Sequence, residues 1–297
     1  MQYRSSFPSL IMRGNPMVWS EVVFQYDGTF DGFLCCVYES YVHKEFPIAF
    51  FGDEECFSLY AVRTVITQRD HAKRILRSLV QRSVPAVQVL RRAFLTCMED
   101  KEVHLYAFVR KLYAEGVAFL KNQSDPVYYP LALAIRHMNG ELEKLRGFVR
   151  FSDYNGVLGA EIEPKNRVLP LLRSHFCNRY ANEAFFIFDR THREILLYAK
   201  GQSRIFPVDQ LQLTLPGEEE IHYRALWKRF YETISIKERN NPSGQRSFLP
   251  KRYRGTMTEF LPLDHERGNN RVIPPEFPGV LSVPSAPDGI PAPEIPQ

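Results

Sequence analysis

The chain predicts a mixed α and β fold, of the α+β type, with a small sheet and a large helical insertion. Three observations carry this. Short runs that read as strands lie at the start of the body and again in its second half. Between them, four successive apolar stripes repeat with the 3.6-residue period of amphipathic helices. At Asn155-Gly156 a strong hairpin signal marks the return to strands.

Taken in order, residues 1–17 show no periodicity and read as an unstructured extension, with Met17 as an alternative start. Val22 to Tyr26 reads as a strand, and Asp27-Gly28 as a turn. Thr29 can cap a helix whose apolar residues Phe30, Phe33, Leu34, Val37, Tyr38 and Tyr41 fall on one face. Leu59 to Ile66 predicts a second strand. Thr67 offers a cap for the first helical stripe, Ala72, Ile75, Leu76, Leu79 and Val80. The next three stripes run through Ala86 to Phe94, Leu105 to Gly116 and Leu131 to Leu145, with breaks at Pro85, Lys101 and Pro126. Phe148 to Ser152 and Val157 to Glu163 then read as a strand pair. Val168 to Tyr180 reads as a short helix with Pro170 in its first turn, where proline is tolerated. Ala184 to Phe188 and Glu194 to Tyr198 form another strand pair. A helix from Glu218 to Ile234 opens on three glutamates, which suit the positive end of its dipole. Its expected inner face is Tyr223, Leu226, Trp227, Phe230 and Ile234. Residues 18–262 thus read as one domain. Residues 263–297, with eight prolines from Pro274 to Pro296, read as a disordered or polyproline-like tail.

Charge points weakly to a polyanion. The tail from His265 carries two arginines against four carboxylates, so residues 1–264 hold a formal +6 of a chain total of +4. Two local features are sharper. Lys237 to Arg254 holds six cations against Glu238, interleaved with amides, hydroxyls and Tyr253. Lys237, Arg239, Arg246, Lys251 and Arg252 would neutralise phosphates, and Tyr253 would stack on a base or sugar. On the helix bearing Ala72 to Val80, Lys73, Arg74 and Arg77 lie opposite the apolar stripe, where they could track a phosphate backbone. The bland alternatives are a solvated basic loop, arginines that hold carboxylates within the fold, and a helix charged for solubility.

Other chemistry finds less support. Asp153, Glu163 and Lys165 superficially match the carboxylate and lysine set of metal-dependent nucleases, but Pro164 interrupts the triplet where a strand residue is expected. His175 and Arg179 lie one helical turn apart and could meet a phosphate, or His175 could simply pack in the core. The sequence contains no paired C-x-x-C zinc motif, no P-loop and no dinucleotide fingerprint, so neither metal nor cofactor is expected. Five cysteines without regular spacing indicate reduced thiols rather than a disulfide framework. No apolar run is long enough to span a bilayer and no secretory leader is recognisable, which points to the cytoplasm.

Five stretches carry a resemblance. They are YDGTFDGFLCCVYESY (Tyr26 to Tyr41), FVRF (Phe148 to Phe151), IEPKNRVLPLLRSHFCNRY (Ile162 to Tyr180), LWKRFYETISIKERNNP (Leu226 to Pro242) and PKRY (Pro250 to Tyr253). In this order they resemble a bacterial family of DNA-metabolism and DNA-repair proteins. The resemblance implies a gene neighbour, a radical SAM protein of DNA modification or repair, and relatives fused to a uracil-DNA glycosylase-like domain. This chain lacks the C-x-x-x-C-x-x-C cluster motif of radical SAM enzymes, so that chemistry would belong to a partner. Two positions depart from the family pattern: Arg254 stands where an aromatic is expected, and Gly159 where a tyrosine is expected. The reading that follows is a DNA-binding accessory acting with a separate radical SAM or glycosylase-like enzyme. Its rivals are a DNA-acting hydrolase and a protein-interaction scaffold without DNA contact.

Overall fold

The computed structural model describes residues 19–52, 58–154, 156–209, 211, 218–233 and 241–260. Its first layer is a parallel sheet. Strand β1 (Ser20–Gln25) is flanked by β2 (Glu45–Phe51) and β3 (Val62–Thr64), in the order β2-β1-β3. Helix α1 (Phe30–His43) makes the crossover from β1 to β2. The turn into α1 explains the DGTFDG run. The Asp27 carboxylate accepts from the Thr29 backbone and hydroxyl and from Thr67 Oγ1, at 2.7–2.9 Å, and Thr29 Oγ1 in turn caps Gly32 N. A Cβ at position 32 would lie 2.2 Å from Asp27 Oδ1, so only glycine fits there. Thr67 is therefore a tie between loops rather than the expected helix cap. The next helix starts after Gln68 without a side-chain cap.

Strand β2 carries no sequence signal of alternation. Its residues Phe46 to Phe51 form an unbroken apolar run that is mostly half-buried, with Phe46 and Phe50 packed on the first core. Pro47 is tolerated because β2 is an edge strand, beside a register shift between Val22 and Val23. Helices α2 (Arg69–Arg82), α3 (Val84–Phe94) and α4 (Lys101–Glu115) follow, with Ser83 capping α3 and Pro85 in its first turn. With the sheet and α1 they enclose an aromatic-rich core containing Phe24, Phe33, Leu79, Leu90, Phe108 and Leu112, all fully buried. Each such side chain contributes roughly 1.5–3 kcal/mol by leaving water.

Helix α5 (Tyr128–Phe148) joins two cores: Leu131 and Ile135 pack on the first, and Met138, Leu142 and Leu145 on the second. It runs to Phe148, so the strand expected to begin there shrinks to β4 (Ser152–Asp153). The second sheet has the order β4-β5-β6-β7-β8, where β5 is Leu158–Ile162, β6 Phe185–Asp189, β7 Glu194–Ala199 and β8 Gln202–Pro207. The β5–β6 pair is parallel, linked by α6 (Leu169–Arg179), and the other pairs are antiparallel. The strands thus form two sheets, not one.

The loop from Pro164 to Arg167 ties these parts together. Buried Glu141 on α5 accepts from Lys165 N, Asn166 N and Asn166 Nδ2 at 2.7–3.0 Å. Asn166 Oδ1 accepts from Cys97 N, Arg167 N donates to Leu95 O, and the Arg167 guanidinium pairs with Glu194 on β7. Helices α7 (Glu218–Thr233) and α8 (Pro242–Phe248) follow, then 3-10 turns over Lys251–Thr256 and Thr258–Phe260. Here the expected inner face of α7 is corrected. Tyr223, Leu226, Trp227 and Phe230 are 42–65% exposed. The stripe exists, but no core among the described residues lies against it. Ile234, the extension 1–17 and the tail 263–297 lie outside the described residues. No helix among the described residues is long and apolar enough to cross a membrane.

Candidate nucleic-acid interface

The site is built on α2. Its 3.6-residue period sends Ala72 and Leu79, with Ile75 and Leu76 beside them, into the first core. The opposite face must then carry Asp70, Lys73, Arg74, Arg77, Ser78 and Gln81. These six residues line an open depression of about 500 Å³. Lys73, Arg74 and Arg77 are exposed, and among the described residues no ion pair joins any of them to a carboxylate. Arg74 also lies 5.8 Å from the centre of the Tyr38 ring, whereas Lys73 and Arg77 stand at the surface of the depression.

The anchoring of α2 is correspondingly firm. Cys35 Sγ on α1 both accepts from Gln68 N and donates to Gln68 O at 3.3 Å, and Thr67 is held by Asp27. Burial alone would raise the Asp27 carboxyl. The hydrogen bonds from Thr29 and Thr67 outweigh it and hold that carboxyl below its ordinary value. Of the cysteines described, Cys35 and Cys36 are buried, Cys177 is half-buried and Cys97 is exposed.

The second basic segment divides. Lys237 and Arg239 lie outside the described residues, and Arg246 falls within α8 with its side chain outside them. Lys251 is exposed at the start of its 3-10 turn. Arg252 and Tyr253 have internal roles. Arg252 Nη2 lies 2.9 Å from Glu141 Oε1, and the guanidinium covers the Tyr253 ring at 4.5 Å and donates to its hydroxyl. Tyr253 is 4% exposed and packs on Phe148, with a phenol raised by burial and eased back by Arg252. As folded, its ring offers no face to a base. The PKRY motif thus meets the PKNR loop at one buried carboxylate, which neither motif could reveal.

The nuclease-like set does not converge. Asp153 pairs with Leu158 at the start of β5, whereas Glu163 follows its end, roughly 16 Å away at about 3.3 Å per strand residue. Glu163 pairs with Arg190 at 2.8 Å, and Asp153 Oδ1 closes its own turn on Gly156 N. Among the described residues, no group of three or more His, Cys, Asp or Glu is placed to hold a metal ion. His175 is half-buried beside Phe176, with Nε2 lacking a hydrogen-bond partner. Burial, then Arg146 and Arg179, hold its imidazole below its ordinary value.

Gly159, where a tyrosine is expected, is explained by its neighbours. A Cβ there would lie 2.3 Å from the Phe186 ring and 2.7 Å from Tyr154 Cδ2, so aromatic rings already fill that place. Arg254 spans Leu249 O, to which Nη2 donates, and the Phe260 ring at 5.0 Å.

A search of curated proteins finds no match to the chain. Among solved structures, a pGpG-specific phosphodiesterase, PggH from Vibrio cholerae, aligns at 11% identity with a TM-score of 0.28. The alignment covers 60% of this chain and 81% of that one, and at that similarity nothing about this chain follows from it. Residues 99–259, from just before α4 to the last 3-10 turn, match the family model of a domain of unknown function, DUF4130. The basic face of α2 lies ahead of the matched region. With more than half of its length in that match, the chain belongs to the DUF4130 family.

Proposed function

We propose that the protein is a DNA-binding accessory in repair or modification, which leaves the chemistry to a separate enzyme of radical SAM or glycosylase-like type. The observation that carries this reading is the α2 face, where three exposed cations line one open depression and, among the described residues, form no ion pair with a carboxylate. Phosphates are positioned by such cations without base readout. The family resemblance supplies the setting, with DNA and a radical SAM protein as the partners and the cytoplasm as the location. Lys251, exposed on another part of the body, is a second candidate contact.

The test is a salt titration of binding to a labelled duplex and a labelled single strand. Each phosphate neutralised contributes a log–log slope of about −0.9 on duplex and about −0.7 on single strands. Lys73→Ala/Arg74→Ala/Arg77→Ala should weaken binding across unrelated sequences and make the slope shallower by up to about 2.7 units on duplex and about 2.1 on the single strand. A folded triple variant with unchanged affinity and slope would remove α2 from the reading.

A second reading, a protein-interaction scaffold without DNA contact, is favoured by the exposed stripe Tyr223, Leu226, Trp227 and Phe230 on α7. A stripe of this kind suits a protein contact. The same titration separates the two, because a pure scaffold shows no salt-dependent DNA affinity to lose.

A further inference from the structure

A seam of aromatic rings runs beside the basic face, between α1, α2 and α4. At one end Tyr38 stacks on His71 at 3.9 Å, with the Arg74 guanidinium 5.8 Å from the Tyr38 ring centre. Further along α2, the Tyr113 hydroxyl donates to Ser78 Oγ, and Arg82 covers the Tyr113 ring at 4.8 Å. Tyr113 meets Tyr41 edge-on at 5.8 Å, and Tyr41 meets Trp19 edge-on at 5.5 Å. Arg110 closes the seam 4.3 Å from the Trp19 ring. Tyr41 is 38% exposed, and Trp19, Tyr38 and Tyr113 are half-buried at the surface. Arg74 and Ser78 belong both to this seam and to the depression that Lys73 and Arg77 line.

Cations alone suit any phosphate backbone. Aromatic rings do not help a duplex, whose bases are already stacked on one another. They do help a single strand, whose bases offer free π faces. Among the described carboxylates, Glu39 lies between His43 and His71, and Asp70, at the first turn of α2, lines the depression beside three cations. We infer that the α1–α2 seam binds single-stranded DNA, with a base on Tyr41, the exposed ring of the seam, and phosphates on Lys73, Arg74 and Arg77. This rests on the DNA-binding reading above and adds the strand preference.

The experiment uses the full chain with a fluorescein-labelled 20-nucleotide oligo-dT and a duplex of equal length. Oligo-dT should bind at least ten-fold more tightly at equal salt. Tyr41→Leu should lower oligo-dT affinity by about five- to hundred-fold while leaving the salt slope alone, because stacking depends little on salt. Lys73→Ala/Arg77→Ala should weaken both ligands and make the oligo-dT slope shallower by roughly 1.4 units. A readout independent of any seam substitution is Trp19 emission in Trp227→Phe protein, where oligo-dT should quench and duplex should not. Equal or tighter duplex binding, or an unquenched Trp19, overturns the single-strand assignment. If Tyr41→Leu has no effect while Lys73→Ala/Arg77→Ala weakens binding, the phosphate face stands and stacking falls. If neither changes binding, both fall at this face.

Discussion

Glu141 and Arg252 offer a direct test of how this fold is held, and of whether Arg252 serves the fold or a ligand. Glu141 is buried and accepts three hydrogen bonds from the Lys165–Asn166 loop, besides facing Arg252 at 2.9 Å. Glu141→Ala removes all four contacts and leaves three N–H donors without their acceptor. A donor stranded in the interior costs about 1–3 kcal/mol, and removing one partner of a buried pair costs about 3–5 kcal/mol. The expected loss is therefore about 3–5 kcal/mol. Arg252→Ala is milder, because the carboxylate keeps its three N–H donors and the arginine side chain is 39% exposed. Its expected loss is about 1–2 kcal/mol, part of it from the uncovered Tyr253 ring. Urea unfolding of both single variants and the double variant closes a cycle whose coupling should lie between about 0.5 and 3 kcal/mol. The DNA salt slope of folded Arg252→Ala should equal that of the parent. The reasoning is refuted if Arg252→Ala stays within about 0.5 kcal/mol of the parent in stability and makes the DNA slope shallower by about 0.7–0.9.

Two further outcomes follow from local geometry. Gly159→Ala should destabilise by about 1–3 kcal/mol through contact with Phe186 and Tyr154, and Gly159→Ala/Phe186→Leu should recover part of that loss in thermal unfolding, since the leucine vacates the ring position. Because the folded Asp27 carboxyl titrates below its unfolded value, its contribution is present above the unfolded value near 3.8 and is lost as pH falls through the folded one. Urea midpoints measured from pH 6 down to pH 2.5 should show the parent losing stability below about pH 4, with Asp27→Asn starting lower and declining less; parallel curves would show that Asp27 does not contribute in this way.

Much of the local structure was legible in the chain because it depends on contacts within a few residues. Thr29 caps α1 as its position before the apolar stripe predicts, and Ser83 with Pro85 separates α2 from α3. The stripes of α2 to α5 and the strands around Phe185 and Glu194 appear where their periods place them. The α2 cations were legible for the same reason, since a helix that buries Ala72 and Leu79 must turn Lys73, Arg74 and Arg77 outward. Strand β2 was missed because Phe46 to Phe51 is a continuous apolar run, mostly half-buried in the structure, without the alternation that identifies a strand, and β8 because its residues are mostly exposed.

Long-range contacts decided the rest. Hydrophobic period shows that α7 has an apolar stripe, but only the positions of its neighbours show that Tyr223, Leu226, Trp227 and Phe230 face outward. Charge density marks Arg252 as a phosphate ligand, yet a carboxylate 111 residues earlier, buried by the packing of α5, claims it for the fold. The glycine at position 159 is explained mainly at long range, by a ring from the neighbouring strand β6, with Tyr154 of its own hairpin beside it. Sequence alone therefore determined the helices from α1 to α6, several of the strands and the charged face of α2, because period and capping are local. Tertiary structure determined which arginines are paired inside the fold, because only the packing of distant elements brings a carboxylate such as Glu141 within reach of Arg252.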